Sequence, residues 1–150
     1  MAGGTERHDV LVQFINVQLY LAFDGTPCTV FTHNRKVRTG EATGFYPDVL
    51  VRCGEAGHSL YETDARFVIE VLSPSNDAVD LTERLYGYQS LPSIEAILFV
   101  DPIRRLVTVH ERSAGRCTER QLLDGELQIG PARLGVLELW SRTDAQVTTE

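Results

Sequence analysis

The sequence predicts an α/β domain: a mixed central β-sheet flanked by helices. Three observations carry that prediction. An early apolar stripe has helical spacing. Two short apolar segments, 67–72 and 94–100, read as buried strands. The helical pattern between those segments makes a strand–helix–strand crossover, which implies some parallel pairing. With 150 residues, 43% hydrophobic and 23% charged, the chain is expected to form one domain with a sizeable core.

Taken in order, residues 5–24 read as the first helix. Val10, Phe14, Val17 and Leu21, with Leu11, Ile15 and Ala22 beside them, form its stripe. Thr5 is the expected N-cap and Gly25-Thr26-Pro27 the stop. Strands are expected at 28–32, 36–39 and 48–52, largely antiparallel, with Asn34-Arg35 as a tight turn. Residues 53–64 read as a polar loop containing glycine. Ser73-Pro74-Ser75-Asn76 ends the strand at 67–72 and caps a helix over 77–90, with Leu81, Leu85 and Tyr88 inward and Pro92 as its stop. The strand at 94–100 closes at Asp101-Pro102 and pairs with 106–111 as a hairpin. Strands at 117–122 and 127–129 flank a turn at Asp124-Gly125. A short turn or helix near 135–140 and a frayed end complete the chain.

The strand at 67–72 holds one carboxylate. Alternation puts Glu70 on a face with Val68 and Leu72, and Phe67, Ile69 and Val71 on the other. Both faces are apolar, as in a central strand covered on two sides. A glutamate there is costly without a partner. It either reaches solvent or an arginine at the strand end, or it serves a site.

Composition excludes some classes. The net charge is −7, so no global basic footprint suits nucleic acid. No apolar run is long enough for a membrane helix and no signal peptide opens the chain, so a cytoplasmic location is expected. Cys28, Cys53 and Cys117 contain no CxxC pair and are expected as reduced, buried thiols, with no zinc site. Lys36 is the only lysine. With Arg38 two residues on, it reads as a solvated strand face or as the lining of a phosphate groove. His8, His33, His58 and His110 fall on separate elements without ligand spacing.

Asp48 follows Pro47 at the start of a strand, and Glu70 lies inside the next long one. If the strands are neighbours, the two carboxylates converge. Two acidic oxygens on rigid strands suit a hard divalent cation, completed by water and substrate phosphate. Such a metal polarises a phosphoryl oxygen and activates water.

Tyr46-Pro47-Asp48-Val49, the run from Val68 to Ser75, Asp80, Arg84 and Tyr88, Phe99-Val100-Asp101-Pro102 and the opening Gly3-Gly4-Thr5-Glu6-Arg7-His8 together resemble the Uma family of the PD-(D/E)XK restriction-endonuclease-like superfamily. The resemblance runs over nearly the whole chain, and Glu-Val-Leu-Ser-Pro-Ser is its most specific part. It implies a restriction-endonuclease-like fold, Mg²⁺ or Mn²⁺ on Asp48 and Glu70, and catalysis by Asp48, Glu70 and Arg84. It also implies accessory places for Asp80, Tyr88 and His8, to which Lys36 is added as a groove candidate. Two departures stand out. The superfamily lysine two residues after the glutamate is Leu72 here, and the branch's lysine on the following helix is Arg84. Arginine keeps charge but does not lose a proton, so it cannot be a general base; it can contact phosphate or simply pair with Asp80. Family members also carry a segment before the first helix with a further acidic residue, which this chain is expected to lack.

The expectation is therefore a metal-dependent endonuclease acting on nucleic acid, DNA foremost, with a homodimer among its assemblies. The alternative is a catalytically weakened member that binds nucleic acid or a protein and cleaves nothing.

Overall fold

A computed structural model describes residues 4–55 and 60–147. The first helix, α1 (Glu6–Phe23), starts where the sequence places it: Thr5 Oγ1 accepts the His8 N–H at 3.1 Å. The chain then forms β1 (Cys28–Thr32), β2 (Lys36–Arg38), β3 (Gly44–Phe45), β4 (Val49–Cys53), β5 (Tyr61–Glu62) and β6 (Ala65–Val71). Helix α2 (Ala78–Gln89), N-capped by Asp77, crosses to β7 (Ala96–Asp101). The remainder is β8 (Leu106–Ser113), β9 (Arg116–Leu122), β10 (Glu126–Ile129), β11 (Ala132–Gly135) and α3 (Val136–Asp144).

Six strands form the central sheet in the order β1-β4-β6-β7-β8-β9. Its one parallel pair is β6–β7, the pair joined by the α2 crossover. The two faces of β6 divide as alternation requires. Phe67, Ile69 and Val71 enter a core under α1, α3 and the β10–β11 hairpin. Val68 and Leu72 enter a second core under α2 and the small sheet β3-β2-β5. Both sides of the sheet are thus covered at β6, whereas the edge strand β9 is exposed over most of its length.

Several expectations change. β1 and β2 do not form a hairpin: the turn at 33–35 carries the chain out of the sheet, β1 pairs with β4, and β2 pairs with β3 and β5. Burial drives this, since Val37 is fully buried in the second core. The stretch read as a polar loop contains β5 and the buried Glu62; His58 lies outside the described residues. Of the turn or helix expected near 135–140, the helix is formed: α3 has nine residues, and an unanticipated β11 precedes it. Reduced thiols are also corrected. Cys28 and Cys53 face each other in the β1–β4 register and form a disulfide, and the remaining Cys117 is exposed, not buried. No described helix is long and apolar enough to cross a membrane.

Candidate active site

The last β4–β6 pair is Val49↔Ile69, so Asp48 and Glu70 occupy the next position on adjacent strands. Pro47 precedes Asp48, and the Asp48 carboxylate is anchored: Oδ2 accepts the Val71 N–H at 2.7 Å. His8, in the first turn of α1, places Nε2 3.4 Å from that oxygen. The Asp48 carboxylate raises the His8 pKa most, and partial burial opposes it.

Glu70 points toward α2, where Oε1 accepts from Tyr88 Oη–H at 2.6 Å and from Arg84 Nη1 at 2.9 Å. Arg84 and Tyr88 are one helical turn apart, which is why both reach one oxygen. Burial pushes the Glu70 carboxyl up, Arg84 and Tyr88 pull it down and Asp48 raises it again, leaving it at about 7. Burial and Glu70 drive the Tyr88 phenol up, so it serves as a neutral donor. Burial opposes the Arg84 charge, but Glu70, Tyr88 and Asp80 outweigh it and raise its pKa.

Arg84 is also tied to its own helix: Nε lies 3.2 and 3.3 Å from the Asp80 oxygens. Asn76 Nδ2 donates to Asp80 Oδ2 at 3.1 Å, and Asn76 Oδ1 accepts the Ser73 N–H at 2.9 Å. The guanidinium rests over the Phe45 ring, 5.1 Å from its centre. A continuous chain, Ser73–Asn76–Asp80–Arg84–Glu70–Tyr88, thus fixes the geometry.

These groups border an open cavity of ≈ 620 Å³ whose lining includes His8, His33, Tyr46, Asp48, Glu70 and Arg84. Tyr88 stands behind it, fully buried, and Asp80 acts on it through Arg84. Lys36 is not in its lining; it lies on β2, paired with Tyr61. His33, read as one of four unrelated histidines, does line the cavity, because the turn at 33–35 folds beside the β4 start. Asn76, read only as a turn residue, links the β6 exit to Arg84. Its spacing of four before Asp80 was the available signal.

The fold is similar to a crystal structure from Anabaena variabilis ATCC 29413 described as "a putative nuclease belonging to DUF820". The TM-score is 0.76 with 16% identity, covering 95% of this chain and 84% of that one. No curated protein matches the chain. The family model Uma2, described as "Putative restriction endonuclease", matches residues 1–143, and the chain belongs to that family.

Proposed function

We propose that this domain is a metal-dependent phosphodiester hydrolase acting on nucleic acid, DNA foremost. The observation that carries the reading is the placement of Asp48 and Glu70 on adjacent strand ends, both lining one cavity. The donor set suits Mg²⁺ or Mn²⁺. Each carboxylate commits one oxygen, Asp48 Oδ2 and Glu70 Oε1, and leaves the other without a hydrogen bond from a described residue. Among the described residues no group of three His, Cys, Asp or Glu could hold a metal, so water and phosphate oxygens would complete the shell. When bound there, such an ion polarises a phosphoryl oxygen and lowers the pKa of a water.

The chain's own residues do the rest. Val71 N–H and His8 hold Asp48, and Tyr88 holds Glu70. Arg84 spends Nε and Nη1 on Asp80 and Glu70, so Nη2 is the nitrogen that can donate to a phosphate oxygen as charge accumulates. No proton transfer is assigned to Arg84.

Plasmid nicking with Mg²⁺ or Mn²⁺, run beside calorimetric titration of the ion, tests this. Asp48→Asn and Glu70→Gln should lose both cleavage and tight ion binding. Arg84→Ala should retain ion binding and lose about 10²–10³ in turnover, and Arg84→Lys should retain activity. A wild type that neither binds the ion nor nicks DNA would end the reading. The second reading, a binding module without cleavage, then stands. The observation favouring it is that Arg84, the arginine lining this cavity, already faces two carboxylates.

A further inference from the structure

The candidate site does not end at its own cavity. Ser73 and Asn76 line it, and the same two residues line a second cleft of ≈ 300 Å³ on the far side of the β6 exit. That cleft continues over Leu72 and Leu81 to the β7–β8 turn, where Asp101, Ile103 and Arg104 form its wall. Leu72 N–H donates to Val100 C=O at 2.8 Å, so the ends of β6 and β7 stay side by side. The β4, β6 and β7 ends therefore lie in one row, about 5 Å apart from strand to strand.

Arg104 differs from nearly every other arginine here. Arg7, Arg35, Arg52, Arg66, Arg84, Arg105, Arg120, Arg133 and Arg142 each face a carboxylate. Arg38 and Arg112 bond backbone carbonyls. Only the side chains of Arg104 and Arg116 have no partner among the described residues, and only Arg104 borders a cleft joined to the site. The turn that carries Arg104 is built to hold it. Asp101 Oδ1 accepts the N–H groups of both Ile103 and Arg104 at 3.0 Å, and Arg105 adopts a φ of 53° while its guanidinium holds Asp144. Asp101 Oδ1 is thus occupied with backbone, and Arg104 is exposed beside the exposed side chain of Ile103.

We infer that this second cleft is a phosphate subsite for a nucleic-acid strand running out of the candidate site, with Arg104 as its cation. The inference rests on the nuclease reading for the direction of the strand. A guanidinium matches phosphate oxygens in planar, paired geometry. Ile103 supplies apolar contact for the sugar or base beside that phosphate. A row of strand ends reaching from Asp48 to Arg104 spans more than one nucleotide, so the substrate class is a polynucleotide rather than a mononucleotide.

Two assays separate this subsite from the chemistry. In the first, anisotropy of a labelled single-stranded oligodeoxynucleotide is followed across a KCl series with Ca²⁺ in place of Mg²⁺. Arg104→Ala should weaken binding several-fold and reduce the salt slope by about 0.7, the value for one phosphate contact on a single strand. Arg104→Lys should keep the slope. Arg116→Ala, the same change of net charge at the other partnerless arginine, should match the wild type. An unchanged slope in Arg104→Ala, or an equal loss in Arg116→Ala, overturns the subsite. In the second, hydrolysis of bis(p-nitrophenyl) phosphate with Mn²⁺ offers a single diester too short to reach Arg104. Wild type and Arg104→Ala should hydrolyse it equally, and a selective loss in Arg104→Ala would place the residue in the chemistry and overturn the subsite. A wild type inert toward both this diester and plasmid DNA sinks the nuclease reading, while the salt slopes still decide the subsite.

Discussion

Among the described residues two glutamates are buried, and the fold surrounds them differently. Glu62, 2% exposed, gives Oε1 to two arginines: Arg35 at 2.9 and 2.7 Å and Arg52 at 3.0 Å. Both guanidiniums also lie over the Phe31 ring, at 5.4 and 5.3 Å. Glu70, 7% exposed, has one guanidinium, shared with Asp80, and a neutral phenol; a second carboxylate, Asp48, lies on the adjacent strand and lines the same cavity. One site has two cations for one anion. The other has one permanent cation and one titrating histidine, His8, for three carboxyl groups, and an opening to solvent. Strand β4 connects them, with Asp48 before its first residue and Arg52 near its last. A locked end and an open end on one strand teach that burial alone does not distinguish the two carboxylates. The supply of positive charge around each does.

Breaking the locked end should cost the most stability. Glu62→Ala removes the carboxylate that Arg35 and buried Arg52 share, and should lower stability by about 3–5 kcal/mol in urea unfolding. A loss no larger than a surface pair's, about 1 kcal/mol, would show that the arginines find other partners easily. Beside it, the Cys28–Cys53 disulfide closes a sequence separation of 25. Replacing both cysteines with alanine should cost about 3 kcal/mol, mainly by freeing the unfolded chain. Mass spectrometry under non-reducing conditions checks the bond itself: two alkylatable thiols beyond Cys117 in the folded protein would contradict it.

At the open end the sign reverses. Glu70 has a folded pKa of about 7 against an ordinary value of 4.5. The stability it contributes is complete below 4.5 and is lost as pH rises through about 7. That loss is on the order of 3 kcal/mol at most. In the absence of divalent ions, Glu70→Gln should therefore gain on wild type between about pH 5 and pH 8. Parallel pH profiles for the two proteins would show that Glu70 ionises as readily in the folded protein as in the unfolded chain.

Much of this was legible in one dimension. The α1 stripe with its Thr5 cap, the apolar β6 and β7, and the helix between them follow from periodicity and cap chemistry. Glu70 stood out because a carboxylate interrupts an apolar strand, and Asp48 because it follows Pro47. The locked end was not legible. Glu62 sits in a two-residue strand within a polar stretch, too short for any period to register, and its partners lie 27 and 10 residues away. The disulfide needs the β1–β4 register, which no spacing rule supplies. Lys36, read either as a solvated strand face or as groove lining, stays out of the cavity lining because burial of Val37 carries β2 into the small sheet. Arg84 was half visible: its pairing with Asp80 follows from helical spacing, but its bond to Glu70 depends on how α2 lies across β6.

The smallest effect concerns His8, the residue that ties α1 to the open end. Its side chain is 18% exposed and its ring nitrogen sits 3.4 Å from an Asp48 oxygen that already accepts the Val71 N–H. Its pKa is raised above 6.5, so the attraction to Asp48 is fully present below 6.5 and fades as pH rises through the raised folded value. A contact of this length between partly exposed groups contributes at most about 1 kcal/mol. His8→Gln should therefore lose up to that amount near pH 5.5 and almost nothing near pH 8.5, read by urea unfolding at about those two values. The mutation leaves the Val71 anchor of Asp48 in place. A loss that grows with pH would show that His8 acts as a neutral donor in the folded protein, and that Asp48 is held at the open end by hydrogen bonding rather than by charge.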